Sequence, residues 1–159
     1  MIQHFIISAA LLLFSCASYA GVFKDEVDRF NGSRSVSWMS IPEEAEGFSL
    51  STMAFYPKGY AAPYAYRIEL LTRADRWQYL ECHHSDWLVD GVRDPYLEME
   101  YSNTVAGSST MERFTKRVDR QNLERLASAK LVEFKVCGTE GKVSEKDMDG
   151  LRKVVNATR

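Results

Sequence analysis

Alternation of apolar and polar residues with a period of two is the feature that most limits what this 159-residue chain can fold into. Successive side chains of a β-strand point to opposite faces, so this alternation predicts strands with one buried face. Residues 64–72 alternate most regularly, with Ile68 and Leu70 on the predicted buried face, and residues 48–56 follow the same pattern. A β-sheet is therefore predicted to form the main part of the fold.

Short turn signals separate the strands, which predicts that neighbours in sequence pair in antiparallel fashion. Residues 74–76 are predicted to join 64–72 to a strand at 77–83 as one hairpin. Asp90-Gly91 suits the left-handed dihedrals of a type I′ turn and predicts a second hairpin. Further strands are predicted at 35–41, 87–89, 96–101, 111–118 and 131–137, and a mobile polar loop at 103–110.

Three segments instead carry apolar residues at the helical spacing of three or four. Phe23, Val27 and Phe30 predict a short amphipathic helix over residues 21–32. Two later helices are predicted to follow the caps Asp119 and Ser144, with apolar faces formed by Leu123, Leu126 and Ala127 and by Met148, Leu151 and Val155.

A run of strands followed by two helices is typical of an α+β fold. Residues 21–159 are predicted to form one α+β domain with an antiparallel sheet of about six or seven strands. The short N-terminal helix and the two C-terminal helices are predicted to pack on one face of that sheet.

Residues 1–20 have the composition of an export signal. Their uncharged apolar stretch of about ten residues is too short to span a bilayer but suits a signal peptide, and Ser18 and Ala20 offer small side chains before Gly21. We therefore expect a cleaved signal peptide at 1–20, a periplasmic or extracellular protein and no transmembrane segment after cleavage. Cys16 lies where a bacterial lipoprotein signal places its lipidated cysteine, so a lipid anchor is an alternative.

The part of the chain after residue 20 contains two cysteines, Cys82 and Cys137. Export to an oxidising compartment predicts that they form one disulfide. Closing a loop of about 55 residues would stabilise the fold by roughly 4 kcal/mol. Strict alternation places Cys137 with Glu133 and Lys135 on the polar face, so the bridge requires a bulge or a strand end.

The segment from Cys82 to Asp86 holds the densest group of candidate ligands and catalytic groups. Cys82 and His84 share a strand face, but His83 points away from them, and a sulfur in a disulfide is no metal ligand. His84, Ser85 and Asp86 are consecutive, so they do not easily form a relay of base, nucleophile and acid. We predict no metal site, no cofactor and no catalytic residue, with an enzyme that uses the segment from His83 to Asp86 as an alternative.

The acidic residues and the overall charge point to no particular substrate. Glu98 and Glu100 share a predicted strand face, as an acid and base pair would, but no second pair faces them. The formal net charge of -2 gives no indication of a nucleic-acid partner.

Four tyrosines crowd one predicted hairpin, together with prolines and a glycine that stiffen or turn its loop: Tyr56, Tyr60, Tyr64 and Tyr66. Tyrosines on a stiff loop are favoured in protein interfaces, although the residues within a strand can equally belong to the core. The predicted function is a noncatalytic binding protein that contacts another protein or an envelope component through these tyrosines. An inhibitor or immunity-type partner of a secreted enzyme is an alternative.

Overall fold

The computed structural model describes residues 21–43 and 47–159 of the chain. The predicted signal peptide at 1–20, with the alternative anchor site Cys16, lies outside these ranges. Neither α-helix within them is long and apolar enough to cross a bilayer.

Within the described ranges, ten antiparallel strands form two sheets that are accompanied by two α-helices. The strands are β1 (Val22–Val27), β2 (Arg34–Met39), β3 (Phe48–Tyr56), β4 (Ala65–Ala74), β5 (Ser85–Val89), β6 (Val92–Arg93), β7 (Glu100–Ala106), β8 (Ser109–Val118), β9 (Val132–Val136) and β10 (Thr139–Lys142). The helices are α1 (Arg120–Ser128) and α2 (Glu145–Ala157), and a short 3₁₀ helix covers Pro95–Leu97. One sheet has the strand order β1-β2-β3-β4-β8-β7, and the other has the order β10-β9-β5-β6.

These elements confirm the α+β class, the antiparallel pairing and the two C-terminal helices. The strand predicted at 48–56 coincides with β3. Asp90 and Gly91 have φ values of 50° and 79°, as the predicted turn between β5 and β6 requires. The chain forms ten strands in two sheets rather than one sheet of six or seven strands, because β5, β6, β9 and β10 pair separately from the six-stranded sheet.

The helix predicted at 21–32 is also wrong, since β1 and a turn occupy these residues. Phe23 and Val27 are four residues apart, and a spacing of four places residues on one face of a helix and equally on one face of a strand. Pairing with β2 decides between the two, with Phe23 opposite Trp38 and Val27 opposite Arg34.

Three further predictions about the strands require correction. The partner of β4 beyond β3 is β8, not residues 77–83, which form an irregular segment. Residues 103–110 are not a loop, because they form the ends of β7 and β8 and the turn at Gly107. The predicted strand at 96–101 is replaced by the end of the 3₁₀ helix and the start of β7.

Both predicted helix caps are present, but the second works differently from a capping box. Asp119 accepts a hydrogen bond from the Asn122 amide, and Ser144 accepts one from the Asp147 amide. The buried Asp147 carboxylate accepts hydrogen bonds from Trp38 Nε1 (3.1 Å) and from the Leu50 amide (3.0 Å). This carboxylate therefore attaches α2 to β2 and β3.

An aromatic cluster joins the two sheets at the centre of the core. The Phe48 ring lies 5.1 Å from Phe134 and 5.7 Å from Tyr79, between centroids. Trp87 packs against Phe134 from β5, at 5.5 Å. Buried residues of both sheets and both helices belong to one continuous core.

Candidate binding surface

One end of the six-stranded sheet presents exposed rings beside basic side chains, and we call it the aromatic end. Its four rings belong to Phe30, Tyr60, Tyr64 and Tyr96. The turn between β1 and β2 carries Phe30, the loop between β3 and β4 carries the two central tyrosines, and the 3₁₀ helix carries Tyr96. Antiparallel pairing places the β1–β2 turn beside the loop between β3 and β4, and that loop beside the 3₁₀ helix.

Local hydrogen bonds hold the turn that carries Phe30. The Asp28 carboxylate accepts from the Phe30 amide at 2.7 Å, and the Gly32 amide donates to the Asp28 carbonyl at 2.7 Å. Gly32 has a φ of 72°, and a Cβ atom there would lie 3.2 Å from the Lys58 side chain. Phe30 is 85% exposed on this ordered turn, so its ring is displayed rather than packed.

The loop at 57–64 displays its two tyrosines in the same way. The Tyr60 amide donates to the Pro57 carbonyl at 3.1 Å, and the Tyr64 amide donates to the Phe55 carbonyl at 2.8 Å. Tyr60 is 64% exposed and Tyr64 is 63% exposed. Tyr64 lies just before β4, so it does not share the buried face of that strand, contrary to the predicted alternation.

The other two tyrosines of the predicted binding group lie beneath the surface. Tyr56 is 3% exposed and Tyr66 is 5% exposed. The Tyr66 hydroxyl accepts a hydrogen bond from Arg120 at 2.9 Å, and burial raises the pKa of Tyr56. These two side chains lie beneath the aromatic end, and of the four tyrosines only Tyr60 and Tyr64 are exposed to solvent.

Cations lie over the rings at this end of the molecule. Arg29 lies 4.7 Å from the centre of the Phe30 ring, and Arg117 lies 4.7 Å from that of Tyr64. The described residues form six cation–π contacts, and five of them occur at this end. The remaining three of these five pair Arg34 with Tyr56, Lys116 with Tyr96 and Arg120 with Tyr66. The rings therefore hold positive charges at fixed places beside an apolar surface.

The sequence-based interpretation missed Phe30, Tyr96 and the basic side chains. Asn31-Gly32 is a turn signal that could have identified Phe30 as a loop residue, had the segment been read as a hairpin. No sequence signal places Tyr96 near Tyr64, because their proximity depends on the pairing of β4 with β8.

The segment from His83 to Asp86 is not assembled as a catalytic relay. The buried Ser85 hydroxyl accepts hydrogen bonds from the Met99 amide and from Trp87 Nε1. Asp86 pairs with Arg93 at 2.7 Å, and that hydrogen bond lowers the pKa of its carboxyl. Each of these two groups therefore has a structural partner away from the histidines.

The two histidines point in different directions, as the alternation predicted. The His83 ring stacks on Tyr101, with centroids 4.1 Å apart, and His83 Nε2 lies 2.6 Å from the Leu80 carbonyl oxygen. His84 Nδ1 lies 3.3 Å from Cys82 Sγ. Only His84 approaches the sulfur atoms.

The predicted disulfide joins Cys82 to Cys137, with Cα atoms 6.0 Å apart. Cys137 directly follows β9 and has a φ of 56°, so the bridge forms at a strand end, as its position on the polar face required. Cys82, His84 and Cys137 are the only group of three potential metal ligands that converge within the described ranges. In the oxidised protein the two sulfur atoms are bonded to each other as a disulfide.

The acidic pair of the sequence analysis does not enclose a site. Glu98 and Glu100 are both exposed, and Glu100 lies on the edge strand β7, opposite Thr115 of β8.

Comparisons with protein-family models, with curated proteins and with solved structures found no match to this chain.

Proposed function

We propose that this chain is a noncatalytic binding protein that holds a protein partner at the aromatic end. The observation that carries the proposal is the display of three largely exposed rings on hydrogen-bonded turns at one end of the sheet. Phe30, Tyr60 and Tyr64 are each more than 60% exposed, which is more than any aromatic side chain on the strands of the same sheet.

The physical chemistry of these groups suits protein recognition. Aromatic side chains bury a large area on contact and lose little conformational freedom, and they dominate the energetics of many interfaces. Arg117 and Arg29 already lie over their rings, so their charges are oriented before a partner arrives. A partner with acidic groups around an apolar centre would satisfy both components of this surface.

The compartment is part of the same proposal. A signal peptide at 1–20 would deliver residues 21–159 to the periplasm or the extracellular space. The Cys82–Cys137 disulfide is compatible with such an oxidising compartment.

The test is capture of a partner by the immobilised mature protein from an envelope and culture-fluid extract of the source organism. The captured protein is then identified, purified and titrated against Tyr60→Ala. Loss of a central aromatic contact costs about 2 kcal/mol, so we expect Kd to rise roughly 30-fold. Tyr60→Phe, which retains the ring, should bind within about threefold of the wild type.

Val105→Ala is the matched control, because Val105 is 66% exposed at the opposite end of the sheet. It should leave both the melting temperature and Kd unchanged. Equal binding by Tyr60→Ala and wild type would refute contact at the aromatic end. Capture of a glycan or lipid in place of a protein would refute the partner class, and capture of a secreted enzyme would identify the inhibitor or immunity-type role.

A further inference from the structure

Cys82, His84 and Cys137 form a compact set of three side chains at the edge of the four-stranded sheet. Their potential ligand atoms all lie within 4.8 Å of one another. Because the sulfurs form a disulfide, they are not metal ligands in the oxidised protein. We propose that reduction of this bond creates a site for a thiophilic divalent cation of the zinc type, with Cys82, Cys137 and His84 as ligands.

The distances fit tetrahedral coordination by two sulfurs and one nitrogen. With metal bonds of about 2.3 Å to sulfur and 2.0 Å to nitrogen, a tetrahedral site places its ligand atoms roughly 3.5 to 3.8 Å apart. His84 Nδ1 is already 3.3 Å from Cys82 Sγ. Cα atoms 6.0 Å apart leave room for the freed sulfurs to separate by rotation of their side chains.

Backbone pairing holds two of the three ligands, His84 and Cys137, together independently of the disulfide. The Cys137 amide donates to the His84 carbonyl at 3.2 Å, and Ser85 pairs with Val136 in the ladder between β5 and β9. His84 and Cys137 therefore stay adjacent when the sulfur bond is broken. The reduced protein therefore keeps two of the three ligands adjacent, which lowers the entropic cost of binding a cation.

The site is also open to solvent. His84 is exposed and both cysteines are partly exposed, so a cation can enter and a water molecule can complete four-coordination. His83 does not belong to the site, because its ring is stacked on Tyr101 and its Nε2 contacts the Leu80 carbonyl.

The reaction that creates the site requires an external dithiol. A dithiol supplies two electrons and two protons, so the bond between the two sulfurs breaks, two thiols form, and the dithiol becomes a disulfide. The cation then binds the two thiolates and releases their two protons. Metal and disulfide are thus alternative links between the same two segments, and each closes the loop from Cys82 to Cys137.

Cobalt(II) is the probe, because thiolate ligation gives it near-ultraviolet charge-transfer absorption and tetrahedral coordination gives it visible ligand-field absorption. The full chain is reduced with a dithiol, freed of reductant without oxygen, and titrated with Co²⁺ and then with competing Zn²⁺. We expect one equivalent to bind with thiolate absorption and Zn²⁺ to displace it. The oxidised protein should show no such absorption.

His84→Ala and His83→Ala form a matched pair of variants. His84→Ala should weaken Co²⁺ binding at least about tenfold and alter the spectrum, since it removes a ligand. His83→Ala should bind as the wild type does. Absence of thiolate absorption, or equal binding by the two variants, would overturn the proposal.

Circular dichroism covers the case in which the reduced chain loses its fold. Recovery of the native spectrum on addition of Zn²⁺ would then support the site, because the metal would replace the link that the disulfide provided. Failure of Zn²⁺ to restore that spectrum would count against it. This inference does not depend on the aromatic end and is tested separately from it.

Discussion

Strand β4 is flanked by two connections without regular secondary structure, and they differ in the exposure of their aromatic side chains. The loop at 57–64 precedes the strand and exposes Tyr60 and Tyr64. The segment at 75–84 follows the strand and places Tyr79 in the core, where it is 6% exposed. One connection presents its aromatic residues to solvent, and the other uses one as part of the core.

The difference lies in the partners that the rest of the chain supplies. The Glu112 carboxylate accepts hydrogen bonds from the amides of Gln78 (2.8 Å) and Tyr79 (2.9 Å), and a disulfide fixes Cys82. The backbone–backbone bonds of the 57–64 loop are local, and its contact from a distant side chain is long, at 3.5 Å from Arg117 to the Tyr64 carbonyl. An irregular connection can therefore belong to the core when distant residues satisfy its backbone groups, and otherwise it is available for contact with other molecules.

Removal of the disulfide is the strongest test of this comparison. The double variant Cys82→Ser, Cys137→Ser should lower the free energy of unfolding by about 4 kcal/mol, because the unfolded chain regains the freedom of a long loop. Urea denaturation measures the loss against the oxidised wild type. A change below about 1 kcal/mol would mean that the 75–84 segment is held adequately by its other contacts.

Two tyrosines, one from each connection, give the next test. Tyr79→Ala should lower the free energy of unfolding by about 3 kcal/mol, because it removes a ring that packs against Phe48 and Phe114. Tyr60→Ala should change it by less than about 0.5 kcal/mol. Thermal and urea unfolding compare the two variants, and similar losses would break the distinction between the connections.

Alkaline pH gives the smallest of the three effects. Burial raises the pKa of Tyr101 to about 12, and its hydrogen bond to Glu112 adds to this shift. Because the folded pKa lies above the usual value near 10, this stabilisation is complete below pH 10 and is lost as the pH rises through 12. We expect a loss of roughly 1 kcal/mol per pH unit in that window.

Tyr101→Phe serves as the reference for this titration, since it removes the ionising group and retains the ring. The difference in unfolding free energy between the variant and the wild type should shrink and then reverse as the pH rises. A difference that stays constant from pH 9 to about pH 12 would show that ionisation of the Tyr101 hydroxyl does not affect the Glu112 carboxylate that holds the 75–84 segment.

Short sequence patterns predicted those parts of the fold that are determined by interactions between neighbouring residues. Strand β3, the Asp90-Gly91 turn and the caps Asp119 and Ser144 depend on a few adjacent residues, and the sequence contains all of them. The short helix at 21–32 failed because the spacing of Phe23 and Val27 satisfies two periods, and only pairing with β2 selects one.

The remaining differences depend on contacts between residues far apart in the sequence. Residues 77–83 have the composition of a strand, yet the amides of Gln78 and Tyr79 donate to Glu112, which lies more than 30 residues further on. For the candidate site, the turn chemistry around Pro57 and Gly59 indicated a loop with exposed Tyr60. The addition of Phe30, Tyr96 and the cations over the rings required the three-dimensional structure.

The Asp147 carboxylate has a further consequence for how the molecule assembles. It connects α2 to Trp38 and Leu50, which precede it in sequence by 109 and 97 residues. A ribosome must therefore synthesise the chain through Asp147 before this junction can close, and any shorter product lacks it. If the chain is exported unfolded, the junction forms only on the far side of the membrane, and the indole of Trp38 then contributes to a fluorescence change, beside Trp77 and Trp87, as the junction closes.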